Sequence, residues 1–317
     1  MIRSGPITFG DAVSSDRVAA RGRWLIFTAA AFWGTSATLA RFVFRDRHVP
    51  PLTVVELRLV VALLVLGPWL ALSNRGALRV ARADWGYFLR LGLFGVAAIQ
   101  STYYYTIARL GVGLAILLQY LAPSLIVLYG VARGRWPTGR TALGVAAAIV
   151  GTALLVGSAG TQAIRARAFD WSVGFASAVA FAFYVGYSKR GLARYAPETV
   201  LFYTFLVAAG LWAAVTPPWR IIAAGYDASL WGMFLALGVF STLVPFAFFY
   251  AGLRRLPPAA AGIIATMEPV IAVLSAALFL GEGLRPLQWL GAALVLAATL
   301  LASSGEAGTG GKVAERT

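Results

Sequence analysis

Cysteine is absent from this chain, histidine occurs once, and Asp and Glu together number 12 among 317 residues. Without a thiol there is no disulfide framework, no Cys-ligated zinc, no haem thiolate and no thiol nucleophile. Charge of either sign is scarce, at 12% of residues, where a soluble globular domain has about 25%. Apolar residues make up 60% of the chain, and the mean hydropathy is +0.77. That balance describes an all-α integral membrane protein.

The few acidic groups are placed one by one. Asp11, Asp16, Asp46, Asp84, Asp170 and Asp227 fall in termini, loops or span edges, Glu198 and Glu282 at span ends, and Glu306 and Glu315 in the tail. Only Glu56 and Glu268 lie inside apolar segments, and His48 is in a loop. Metal-dependent membrane enzymes need clustered His or carboxylate ligands, so neither a metal nor another cofactor is expected. The 27 Lys and Arg fit the positive-inside bias of membrane loops better than a nucleic-acid surface.

A spanning helix needs about 20 mainly apolar residues. That window picks out ten segments, near 24–43, 51–71, 85–107, 110–131, 138–157, 169–189, 198–215, 230–253, 257–279 and 286–303. Short connections such as "RGRWPTGR" and "TPPWR" separate them, and no loop is long enough to fold alone. The first segment is followed by nine more and reads as a retained helix rather than a leader. The expected organisation is a disordered tail at 1–22, one half at 23–157, an external linker at 158–168, a second half at 169–303 and a flexible tail at 304–317. Seventeen Lys and Arg fall on the side of the N-terminus and eight on the other, which predicts both termini in the cytoplasm.

At an offset of 146 residues the halves overlay: "YYTIARLGVGLAILLQYLAP" (104–123) lies on "YAGLRRLPPAAAGIIATMEP" (250–269). Tyr104 then meets Tyr250, Leu110 meets Leu256, Pro123 meets Pro269, and Pro51 meets Pro197. Each half has an odd number of spans, so the halves cross in opposite senses. The expected fold is ten transmembrane helices as two inverted five-helix repeats around a central cavity, a plan typical of secondary transporters with their site at the repeat interface. A proline in a helix frees the carbonyl four residues earlier. For Pro123 that is Gln119, and for Pro269 it is Ala265. A lone proline is commonly a simple kink; for a matched pair, two kinks and helix breaks at a binding site are both open readings.

Glu268 is the leading candidate residue, because a charge at the bilayer centre costs at least about 2.5 kcal/mol. It pairs with a cation or substrate ammonium, takes up a proton that drives export, or rests neutral against a neighbouring helix. Trp33, Thr35 and Ser36 interrupt the first span; Gln100, Tyr103 and Tyr104 share a face of the third; Gln119 and Tyr120 mark the fourth. Tyr184, Tyr187, Ser241, Thr242, Tyr250 and Met267 are the comparable groups of the second half. Aromatic walls with a few placed polar groups suit a small-molecule pocket. The candidate cavity set is Trp33, Ser36, Gln100, Tyr103, Gln119, Tyr184, Thr242, Met267 and Glu268, whereas Tyr250 and Tyr187 read as interfacial anchors. Glu56 and Arg58 are two apart and do not face each other; each is expected to find a partner elsewhere or to snorkel outward.

"AFWGTSATLAR" (31–41) and "MEPVIAVLSAALFLGEGLRPLQWLGAALVLAATLL" (267–301), with the duplicated plan, resemble the drug/metabolite transporter superfamily, specifically its EamA-type ten-helix exporters. The resemblance spans about residues 24–303. The first-half counterpart (121–155) carries Arg135 where family members often have a glutamate, which removes a symmetrical partner for Glu282. The resemblance implies a basket of helices with each half's fifth helix outside it, and export of small metabolites, often amino acids, by alternating access. The kind most similar is the bacterial aromatic amino-acid exporter. The small-residue runs "GVAAAIVG" and "GAALVLAA" suit close packing of those fifth helices.

Other classes fit less well. Prenyl or phosphoryl transfer wants an Asp-rich motif, and a channel wants a ring of charges or a filter loop. A sugar-phosphate exchanger wants paired cations at the midplane, whereas a lone carboxylate suits a cationic or zwitterionic substrate, with efflux of toxic aromatic cations as the alternative. Expected partners are that substrate and the lipid bilayer, without nucleic acid, around a monomer or homodimer.

Overall fold

A computed structural model describes residues 9–45, 47–110, 112–156, 167–280 and 286–304. Asp46, Glu282, Glu306, Glu315, most of the expected linker at 158–168 and of the C-terminal tail, and the first eight residues lie outside them. A backbone in hydrocarbon has no water to bond, so its amide groups must be satisfied within helices. Most of the described residues lie in ten helices, some of them interrupted, beside short helical turns at Arg75–Leu78, Arg82–Asp84 and Pro218–Ala223. The first half has α1 (Phe9–Arg45), α2 (Pro51–Ser73), α3 (Trp85–Arg90, π-helical Leu91–Ala97, Ala98–Leu110), α4 (Val112–Gln119 and Ala122–Ala132) and α5 (Gly139–Val156). The second half has α6 (Ala168–Leu192), α7 (Pro197–Val215), α8 (Ala228–Gly238, π-helical Val239–Leu243, Val244–Leu253), α9 (Pro258–Ala265 and Met267–Leu280) and α10 (Pro286–Ser304).

Prolines open α2, α7 and α9, where their missing N–H has no helical partner to lose. Among the described residues five stretches are long and apolar enough to cross a membrane, Pro51–Ser73, Ala168–Leu192 and Pro197–Val215 among them. Shorter apolar stretches include Gly139–Leu155 and Pro286–Leu301. Large apolar side chains such as Leu64, Leu72, Phe94, Leu278 and Leu300 point outward, as lipid contact requires. One difference from the expected organisation is at the start: residues 9–22, read as a polar tail, are helical, and Gly22 of α1 lies against Leu256 at the α8–α9 turn.

The two halves share their irregularities. The π-helical stretch of α3 ends at Ala97 and that of α8 at Leu243, the same position at the offset of 146, and the break of α4 at Tyr120 matches that of α9 at Thr266. Contacts repeat as well. A Cβ on Gly238 would lie 2.4 Å from Val61 of α2, and one on Gly92 would lie 2.5 Å from Val207 of α7. These are one contact, with the halves exchanged. α1 packs on α8 as α6 packs on α3. The fifth helix of each half pairs with the other: α5 and α10 run antiparallel with Gly151 against Gly291 and Gly144 against Ala298.

Ion pairs and caps join loop ends. Arg47 donates to Asp227, which also accepts from the Leu230 backbone N–H as the cap of α8, and these donors hold its carboxyl below the usual range. Asp170 accepts from Tyr105 and Arg109 at the same end. At the opposite end Asp84 accepts from Arg194 and Tyr195, and Lys189 donates to the carbonyls of Leu253, Arg254 and Leu256, closing the α8–α9 turn.

At the α5–α10 crossing a Cβ on Gly151 would stand 2.8 Å from the Gly291 carbonyl oxygen, and one on Gly291 2.6 Å from that of Gly151. Gly151→Ala and Gly291→Ala should each destabilise the protein by about 1–3 kcal/mol, the usual cost of overpacking. Gly210→Ala, with nothing within 4 Å of its Cβ, should cause no loss. Thermal unfolding in detergent checks this; equal midpoints for all three would show that the helices can part freely.

Candidate functional site

The matched breaks of α4 and α9 come together. Pro123, in the first turn after the α4 break, packs 3.3 Å from where a Cβ of Gly262 would stand on α9. Around Tyr120 the helix tightens, with Leu121 N–H bonding the Leu118 carbonyl, and on α9 Thr266 N–H and Oγ1 both donate to the Ile263 carbonyl. Pro269 sits in the first turn after that break. Across this junction the Tyr120 hydroxyl donates to Glu268 Oε2 at 2.6 Å. Glu268 is partly buried, and Tyr120 is 3% exposed. Glu268 Oε1 makes no hydrogen bond among the described residues.

Gly34 of α1 gives this region its close third wall. A Cβ there would lie 2.7 Å from the Glu268 carbonyl oxygen and 3.0 Å from the Ala272 nitrogen. The glycine between Trp33 and Thr35 therefore lets α1 lie directly on the backbone that carries the carboxylate. Attention to the polar neighbours alone misses it.

Of the two outcomes expected for Arg58, a partner elsewhere or snorkelling, the structure shows the first. It does not snorkel; it is 4% exposed, with Nε donating to Thr242 Oγ1 at 2.7 Å and Nη2 to the Ser241 carbonyl at 2.8 Å. Thr242 in turn donates to the Leu237 carbonyl at 3.1 Å. Both acceptors belong to the π-helical stretch of α8, whose wider turn disturbs the regular ladder and presents the Ser241 carbonyl sideways. The guanidinium lies over the Tyr104 ring, 5.6 Å from its centroid, and interacts electrostatically with Glu268 and Tyr103. Among the described residues it forms no direct ion pair with Glu268. Glu56 meets neither expectation: it is 1% exposed, and neither carboxylate oxygen has a partner among the described residues.

The other candidates divide. Tyr103 is partly buried, within electrostatic reach of Glu268 and Arg58. Gln100, one turn away on the same face, is 5% exposed, and its Nε2 has no partner among the described residues. Gln119 is buried and its Oε1 accepts from Ser177 at 2.9 Å. Trp33 packs edge-on against Phe246 at 5.1 Å and tilted on Phe249. Ser36 and Thr35 donate to carbonyls of their own helix. Tyr184 is fully buried and stacked on Phe181, Phe249 and Tyr250. Met267 joins a separate cluster with Ala30, Leu155, Val270 and Val295. Tyr250 is not an interfacial anchor: it is wholly buried and accepts from Ser188. Its place in the aromatic stack follows from α8 packing against both α1 and α6.

A separate concavity of about 470 Å³ lies between α3 and α6, lined by Phe94, Phe175, Val179 and Phe183. It presents apolar side chains and no charged group, so its chemistry suits an acyl chain rather than a polar cargo.

Comparison with known proteins agrees with this frame. The chain is 26% identical over 292 residues to the inner membrane transporter YicL of Salmonella typhimurium, covering 89% of this chain and 95% of that protein. It is 25% identical over 283 residues to the threonine/homoserine exporter RhtA of Escherichia coli K12, covering 87% and 89%. A solved crystal structure shares the fold with a TM-score of 0.70 at 22% identity, covering 89% of this chain and 96% of the other. The model of the EamA-like transporter family matches twice, at residues 20–157 and 171–304. This duplicated helical chain, with its paired helix breaks, belongs to the EamA-like transporter family.

Proposed function

We propose that the chain is a secondary carrier that exports small metabolites, amino acids foremost, across the inner membrane by alternating access. In this reading all ten helices cross the bilayer as two inverted five-helix repeats, 23–157 and 169–303, around a central cavity, with both termini cytoplasmic. Antiparallel packing of α5 on α10 and the exchanged Gly92–Val207 and Gly238–Val61 contacts support inversion. The loop ion pairs, each joining ends on one side, support ten crossings.

The observation that carries the reading is the Tyr120–Glu268 hydrogen bond. It joins the two matched breaks, one from each half, and sets a carboxylate where a carrier of this plan binds cargo. The names of the relatives, a threonine/homoserine exporter among them, favour amino acids. The aromatic preference expected from Trp33 and Tyr184 has less behind it, since those rings stack on Phe246, Phe249 and Phe181. Efflux of aromatic cations is disfavoured by Arg58, a fixed cation in electrostatic reach of Glu268. A sugar-phosphate exchanger is disfavoured by that same carboxylate.

Uptake into proteoliposomes, with labelled threonine, homoserine, phenylalanine and tyrosine offered in turn, tests the reading. Wild type should show saturable uptake of at least one, and Glu268→Gln should lose it by about tenfold or more. Equal rates for the two proteins at every pH would remove Glu268 from transport. Tyr120→Phe, which deletes a hydrogen bond to a charged group worth about 1.5–3 kcal/mol, should raise KM or lower kcat by about tenfold. An unchanged Tyr120→Phe would make that bond incidental.

A further inference from the structure

We propose that Arg58 and Glu268 form a two-ended clamp for a zwitterion, Arg58 holding the substrate carboxylate and Glu268 its ammonium. The inference rests on the amino-acid carrier reading and deepens it, assigning a carboxylate-recognition residue on the half that lacks Glu268.

The argument begins with asymmetry. At the offset of 146, the residue matching Glu268 is Ala122 and the residue matching Arg58 is Thr204. Each half therefore supplies one charge and the other half leaves that place neutral. Arg58 is deep in the protein and Glu268 partly buried, and they feel each other without closing into an ion pair among the described residues. A buried cation needs hydrogen bonds to offset its lost hydration, and Arg58 has only part of its set. Nε and one N–H of Nη2 are used on Thr242 and Ser241, while Nη1 makes no hydrogen bond among the described residues. Those two bonds, with the Tyr104 ring beneath, fix the plane of the guanidinium and leave its far edge free. That edge is the part of the fork that binds a carboxylate.

The opposite end has the complementary arrangement. Glu268 is oriented through Oε2 by Tyr120, leaving Oε1 as an acceptor for an ammonium. Tyr103 is in electrostatic reach of both charges. The unpartnered Nε2 of Gln100, a turn away on the same helix face, is a further donor for the carboxylate. A molecule with a carboxylate and an ammonium on one carbon satisfies both ends and stays neutral overall. A plain amine leaves Arg58 uncompensated; a plain carboxylic acid leaves Glu268 so.

The test is equilibrium binding to the purified full-length protein, with two matched sets of probes. One set is threonine, 1-amino-2-propanol and 3-hydroxybutyrate; the other is phenylalanine, phenethylamine and 3-phenylpropionate. In at least one set, the amino acid should bind wild type about 10- to 100-fold more tightly than either analogue, the scale of one charge-assisted hydrogen bond. Arg58→Gln should weaken the amino acid towards the level of the amine without weakening the amine itself, a result that a misfolded protein cannot give. Glu268→Gln should mirror it, bringing the amino acid down to the acid. Arg58→Lys, which keeps the charge and loses the fork, should fall between wild type and Arg58→Gln. The clamp is overturned if an analogue matches its amino acid on wild type, if Arg58→Gln weakens amine and amino acid equally, or if wild type binds none of the six. Transport failing while these binding patterns hold would instead overturn the carrier reading and leave the clamp in place.

Discussion

A backbone inside a bilayer has nothing but protein to bond, and every departure from the α-helix has to be covered from within the fold. In this chain the departures are few and paired: a π-helical stretch in α3 and in α8, and a break in α4 and in α9. The chemistry gathers on them. The Ser241 carbonyl and Thr242 hydroxyl of the α8 stretch hold Arg58, and the residues flanking the α4 and α9 breaks meet as Tyr120 and Glu268. Regular helix elsewhere gives these irregular places a rigid frame. Glycines at the crossings, Gly34 on α9 and Gly151 on Gly291, bring the backbones close enough to form it.

Much of this was legible in the residues. The ten apolar segments, the offset of 146 and the prolines at 123 and 269 rest on periodicity and on what proline does to a helix, and both are local properties. Glu268 stood out because its neighbours are apolar. What could not be read was burial that depends on another helix. Arg58 lies in the first half of α2, where snorkelling is the ordinary outcome for a long cation. Its retention follows from a π-helical stretch 183 residues away, and π-helix leaves little trace in composition. Tyr250 was misplaced for the same reason, since its burial comes from α6 and its ring partner Tyr184. Gly34 was legible as a glycine, and only the nearness of α9 gives it meaning.

The aromatic residues show how one composition can serve two ends. Trp33, Phe246, Phe249, Phe181, Tyr184 and Tyr250 form one connected stack. In this conformation they pack the core between the halves rather than line an open wall. The polar groups with unused capacity, Arg58 Nη1, Gln100 Nε2 and Glu268 Oε1, belong to the neighbourhood of Tyr103. The recognition we propose is by placed charge, with the aromatic cluster as support.

The central claim is that Arg58, Tyr103 and Glu268 face one chamber that cargo enters. Because the chain has no cysteine, a single Tyr103→Cys variant carries a unique thiol at that point. Its rate of modification by a membrane-impermeant thiol reagent in proteoliposomes is the most direct measurement. The account predicts modification from the aqueous phase, slowed severalfold by an amino acid that binds the protein and not by its amine or acid analogue. A thiol that does not react until the protein is unfolded, or that reacts equally fast with and without the amino acid, would contradict it.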